Sequence, residues 1–162
     1  GLYQSTASIP GGLARTEDEV TVSYVENFVT ASIEQGLSLV VESDGIIVGE
    51  MHAYWPGLKV FHHVLSDLTI CIHPEYQAQR FGRKLFTNFM AIVQNELSHI
   101  TRVELIARQS NEKAIKFYQS LGFEIEGCLR NRIDGNLGNL ENDIPMGWIK
   151  SGQVNCKKHG PQ

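Results

Sequence analysis

The sequence predicts a single α/β domain: a mixed central sheet of about six or seven strands flanked by helices. Three observations lead there. The 162 residues, 42% hydrophobic and 20% charged, suit one domain with one core. Apolar, β-branched runs alternate with stretches of helical period, in the order helix, three strands, helix, strand, helix, two strands. No apolar run approaches the roughly 20 residues of a membrane span, and no basic segment leads an apolar one, so a cytoplasmic protein is expected.

Residues 1–16 contain Ile9-Pro10-Gly11-Gly12 and no apolar period, and read as loop. The start at Gly1 rather than Met is consistent with a lost opening strand. From Thr16, a capping threonine, acids at Glu17-Asp18-Glu19 and apolar residues at Val22, Val25, Phe28, Val29 and Ile33 predict an amphipathic helix ending near Gly36. Leu37–Ser43 and Ile46–Tyr54 flank Asp44-Gly45, a hairpin signal.

A third strand is predicted over Val64–Ile72, stopped by Pro74. A turn over Gln77–Gly82 leads into a helix over Arg83–Leu97, with Leu85, Phe86, Phe89, Ile92 and Val93 on its apolar face. A strand at Arg102–Ala107 precedes a helix from about Asn111 to Leu121, closed by Gly122 as a left-handed cap. Phe123–Arg132 and Asn142–Ile149 read as the last two strands, joined through a turn at Gly135 and Gly138, and residues 151–162 as a flexible tail.

Composition narrows the function. A net charge of −4 provides no basic face for nucleic acid and favours cationic substrates such as amines. Three widely spaced cysteines, Cys71, Cys128 and Cys156, without a CxxC pair, point to reduced thiols rather than a disulfide framework. His52, His62, His63 and His73 have no second ligand at a helical spacing, and no metal is expected.

The chemistry gathers between Asp67 and Phe123. A strand running into a tight turn and then a helix, here Leu68 to Arg83, turns backbone N–H groups outward at the positive end of a helix dipole, where a pyrophosphate can be held. The turn comprises Gln77, Ala78, Gln79, Arg80, Phe81 and Gly82, and Arg80, Arg83 and Lys84 add positive charge. Downstream, Asn111 lies at a strand-to-helix junction, with Tyr118 two helical turns further on the same side.

These two elements resemble the signature motifs of the GNAT superfamily of N-acetyltransferases. The first, Arg/Gln-x-x-Gly-x-Gly/Ala, matches at Gln77 and Gly82; the second, Asn-x-x-Ala-x-x-Phe/Leu-Tyr-x-x-x-Gly-Phe, matches at Asn111, Ala114, Phe117, Tyr118, Gly122 and Phe123. The likeness runs from about Gly36 to Ile149 and is closest to the branch with ribosomal-protein and small-molecule amine acetyltransferases, where Glu126-Gly127-x-x-Arg130 is also familiar. Arg80 and Ala78 stand where the family usually has glycine. If the turn needs a positive φ at position 80, arginine is strained there by about 1–2 kcal/mol.

The resemblance implies a GNAT-like fold and transfer of the acetyl group of acetyl-CoA directly to a primary amine of a small molecule, peptide or protein. It further implies that Tyr118 protonates the leaving thiolate and that the backbone of Ile70, Cys71 and Ile72 receives the pantetheine arm. Asn111 would bond to that arm near the sulfur, and two copies would pair through the final strands as a homodimer. Asp67, on the same side of its strand as Thr69 and Cys71, is one candidate base and Glu104 the other. The alternative function is a GNAT-like module that holds CoA without transferring anything.

Overall fold

The computed structural model describes residues 1–9, 11–135 and 138–152. Four helices are present among them: α1 (Leu2–Ala7), α2 (Val22–Gln35), α3 (Phe81–Asn95) and α4 (Glu112–Ser120). The strands are β1 (Gly36–Ser43), β2 (Ile46–Tyr54), β3 (Val64–Ile72), β4 (Arg102–Arg108), β5 (Glu124–Ile125), β6 (Leu129–Asp134) and β7 (Leu140–Ile149). They form one seven-stranded sheet in the order β1-β2-β3-β4-β7-β5, with β6 also pairing to β7.

The first segment corrects the expectation of a loop over 1–16. A helix of six residues has too few turns to display a period and would not stand alone. It forms because Tyr3 and Thr6 are buried, Tyr3 in a cluster with Val20, Phe28 and Cys71. The second helix also starts later than its pattern implies. Thr16 and Glu19 cap only a short 3₁₀ turn, Glu17–Glu19, after which Val20 leaves helical space, and Thr21 caps α2 by accepting from the Tyr24 N–H at 3.1 Å. With α2 set this way Phe28 and Ser32 face inward, while Val22 and Ile33 of the expected stripe are 74% and 75% exposed.

The β1–β2 hairpin turns at Asp44 and Gly45, both with positive φ, as a two-residue hairpin loop requires. β3 has the expected bounds and pairs antiparallel with β2. α3 begins at Phe81, two residues before the expected start, with Arg80 as its N-cap, and buries Leu85, Phe86, Phe89, Met90 and Val93 against the sheet. Gly122 closes α4 with φ 90°.

The expected strand over Phe123–Arg132 is two strands. The chain pairs with β7 at Glu124 and Ile125, leaves the ladder near Gly127, and rejoins it at Leu129. β7 starts at Leu140 rather than Asn142. The turn at Gly135 and Gly138 contains residues 136 and 137, and the expected tail runs through 153–162; these lie outside the described residues. Most of the core lies between the sheet and α3, and the second cluster lies under α1 and α2. No helix among the described residues is long and apolar enough to cross a membrane.

Candidate active site

The site begins as a defect in β3. Tyr54 pairs with Ser66, but His52 pairs with Thr69, so β3 carries one extra residue over this stretch. That bulge centres on Asp67, whose φ is 52°. It resets the alternation. Leu65 lies in the core against α3 and so do Leu68, Ile70 and Ile72, while Cys71 joins the cluster under α1 and α2.

A second irregularity follows. β3 and β4 run parallel but are joined only at Val64 with Arg102 and Leu65 with Val103. From Ser66 onward β3 has no ladder partner on its β4 side, and an extended ligand can pair with that edge as a further strand would.

At the end of β3 the chain turns through Ala78 (φ 62°) and Arg80 (φ 66°, ψ 8°) into α3. Left-handed space at two non-glycine residues costs about 1–2 kcal/mol each, and such strain gathers at ligand clamps. Among the described residues the N–H groups of Arg80, Phe81, Gly82 and Arg83 find no acceptor within the protein. They open at the positive end of a fifteen-residue helix. Gln77 and Gln79 turn inward, donating from Nε2 to the carbonyls of Ile72 (3.1 Å) and Glu75 (3.3 Å), and so brace the loop. The Arg83 guanidinium lies 4.7 Å over the Phe117 ring and links α3 to α4.

On α4, Asn111 is the N-cap, accepting from the Ala114 N–H at 3.2 Å. Tyr118 is half-buried, its ring 5.1 Å from that of Phe86 and 6.2 Å from that of Phe123. Burial pushes the phenol pKa up, and its hydroxyl has no partner among the described residues. It is a protonated donor free to meet a ligand.

A cleft of about 1230 Å³ opens on the other face, between the α1–α2 connection and strands β2, β3, β4 and β6. Asp67 and Glu104 both line it, with His52, Tyr54, Thr69 and Arg108; Tyr118 and Asn111 do not. Burial and then Asp67 raise the pKa of the Tyr54 hydroxyl. Glu104 accepts from Arg102 Nε at 2.6 Å, and Arg102 in turn holds Glu126. Cys71 lies beneath, with burial raising its thiol to about 11, and is no nucleophile.

Missed by the sequence reading is a buried polar pair on β2, of which His52 lines the cleft and Glu50 lies behind it. Glu50 accepts from the Tyr3 hydroxyl (2.5 Å) and the Ser38 hydroxyl (2.8 Å), and its Oε2 lies 3.0 Å from His52 Nδ1. The alternation Glu50-Met51-His52-Ala53 is its sequence trace, marking two polar residues on one strand face.

Residues 34–125 match the family described as "Acetyltransferase (GNAT) domain". The chain belongs to the GNAT acetyltransferases. Among curated relatives of this GNAT protein, the spermidine N(1)-acetyltransferase of Escherichia coli K12 is 32% identical over 111 residues, 66% of this chain and 55% of its own. The chain thus spans about half the length of that relative. The ribosomal protein bS18-alanine N-acetyltransferase of Haemophilus ducreyi is 30% identical over 128 residues, 70% of this chain and 87% of its own. Among solved structures, a Salmonella typhimurium protein determined with its cofactor acetyl-CoA superposes with a TM-score of 0.70 at 17% identity, covering 97% of this chain and 89% of that one. That solved structure shares the overall fold of this chain.

Proposed function

We propose that this GNAT protein acts in the cytoplasm to transfer the acetyl group of acetyl-CoA to a primary amine of a small molecule, peptide or protein. The observation that carries the reading is the parting of β3 from β4, with a cleft on one face and a turn of free N–H groups at the end of β3. Acetyl-CoA, when bound, supplies an acetyl thioester. The turn over Gln77–Arg83 would hold its phosphates, the backbone of Ile70, Cys71 and Ile72 its extended arm, and Asn111 the end of that arm.

Tyr118 holds its proton at Oη and donates it toward the sulfur. On the cleft side, Glu17, Glu19, Asp67 and Glu104 place carboxylates around the entering amine and favour its cationic form. Of the two carboxylates expected to act on the amine, Glu104 is committed to Arg102, and Asp67 is the freer. Exposed Leu129 and Leu140 on the last hairpin support pairing of two copies.

The test is thiol release from acetyl-CoA across spermidine, an alanine-terminated peptide and other primary amines, with alcohols as controls. Amine-dependent release is expected. CoA binding without release for any amine would replace this reading with that of a CoA-holding module.

A further inference from the structure

We propose that His52, oriented by Glu50, is the base that takes the proton from the amine at the floor of the cleft. This rests on the acetyl-transfer reading above.

The orientation follows from the hydrogen bonds. Glu50 is buried on β2 and receives the Tyr3 and Ser38 hydroxyls. Burial and the Glu50 charge raise the Tyr3 hydroxyl's pKa, so it remains a donor, and Glu50 is left as acceptor for His52 Nδ1 at 3.0 Å. The neutral imidazole therefore carries its proton on Nδ1 and its lone pair on Nε2.

Where Nε2 points follows from what it lacks. His52 is 2% exposed, and every buried side-chain nitrogen and oxygen among the described residues has a hydrogen-bond partner. Nε2 has none, so it is not sealed in, and the cleft that His52 lines is the space available to it. The ring itself is clamped, stacked on Phe28 with centroids 4.2 Å apart and on Tyr54 at 6.0 Å. The titratable and charged groups that touch it or face it across the cleft are Glu50 and Tyr54 from its own strand, Tyr3 from α1, Arg15 from the α1–α2 connection, Tyr24 from α2, Asp67 from β3, and Glu104 and Arg108 from β4.

Chemically, an imidazole is a stronger base than a carboxylate and takes a proton from an alkylammonium more readily. The step moves one proton: the ammonium N–H bond breaks, the electron pair stays on the amine nitrogen, and Nε2 gains the proton, with Glu50 balancing the imidazolium. The proton then leaves through the cleft to water. Asp67 holds the ammonium beforehand.

The experiment compares His52→Gln, Asp67→Asn and the parent protein with spermidine and acetyl-CoA across pH 5.5–9.5, alongside imidazole NMR of the parent without acetyl-CoA. His52→Gln is expected to lower kcat/KM roughly 100-fold near pH 7 and to abolish its acidic limb. Asp67→Asn is expected to raise KM and keep that limb. NMR is expected to show His52 protonated on Nδ1 in its neutral form, and Glu50→Gln to weaken that preference.

A limb unchanged in His52→Gln, or a neutral His52 protonated on Nε2, would overturn the assignment, and the NMR result stands even if a variant fails to fold. If the parent releases no thiol with any amine, it is the acetyl-transfer reading that fails, while the tautomer still decides the orientation.

Discussion

Arg102 grips Glu126 through two hydrogen bonds, of 2.9 and 2.5 Å, across the bare backbone of Gly147. Gly147 lies on β7 opposite both Glu104 of β4 and Glu124 of β5, and a Cβ there would meet Glu126 Oε1 at 2.6 Å and Arg102 Nη1 at 2.9 Å. The obstructing atoms end flexible side chains, so in Gly147→Ala the ion pair gives way and β7 stays.

The expected cost of Gly147→Ala is below about 1 kcal/mol, because solvent reaches both partners of the pair. Arg102 holds the Glu126 pKa below its ordinary value. The pair's contribution is therefore complete above the ordinary carboxylate pKa and is lost as pH falls through the folded one. Urea unfolding should separate parent and variant at pH 7 and bring them together near pH 2.

Arg80→Gly should stabilise the protein by up to about 1 kcal/mol, by removing a Cβ from left-handed space at the start of α3. Arg80→Ala retains the Cβ and should show no such gain. Urea midpoints of the two variants check the difference, and a larger gain in Arg80→Ala would count against strain at this residue.

Tyr118→Phe retains the ring that packs on Phe86 and Phe123 and removes only the hydroxyl. Stability should change by less than about 0.5 kcal/mol and turnover should fall roughly 100-fold. Thiol release and thermal unfolding measured on the same preparation separate the two effects. Full turnover would remove Tyr118 as the proton donor.

Asn111 has two expected duties, and substitution divides them. Asn111→Ala should cost about 1 kcal/mol through loss of the α4 cap. Asn111→Ser can still cap, and should restore most of that stability while leaving CoA affinity weakened, since the amide donor is gone. Calorimetric titration with CoA and urea unfolding provide the two readouts.

Legibility in the sequence followed the range of the interaction. The Asp44-Gly45 hairpin, the bounds of β3, the apolar face of α3 and the Gly122 cap were readable because each depends on neighbours a few residues away. The turn before α3 and the Asn111–Phe123 stretch were readable for the same reason. α1 was not, because its helix exists only through Tyr3 and Thr6 packing on distant strands. Nor was the choice of Thr21 over Thr16 as the α2 cap, since both carry local capping signals.

By itself, then, the sequence determined the α/β class, the order of its main elements and the two motifs that mark a GNAT chain. Only the tertiary structure decided the rest of the site. The Asp67 bulge is a mismatch of register between two strands, and the β3–β4 gap is the absence of pairing between segments some 35 residues apart along the chain. The Glu50–His52 pair becomes buried and oriented only once Tyr3, far away in sequence, closes over it. Local spacing carries no record of such contacts, because their geometry is set when separate elements pack together.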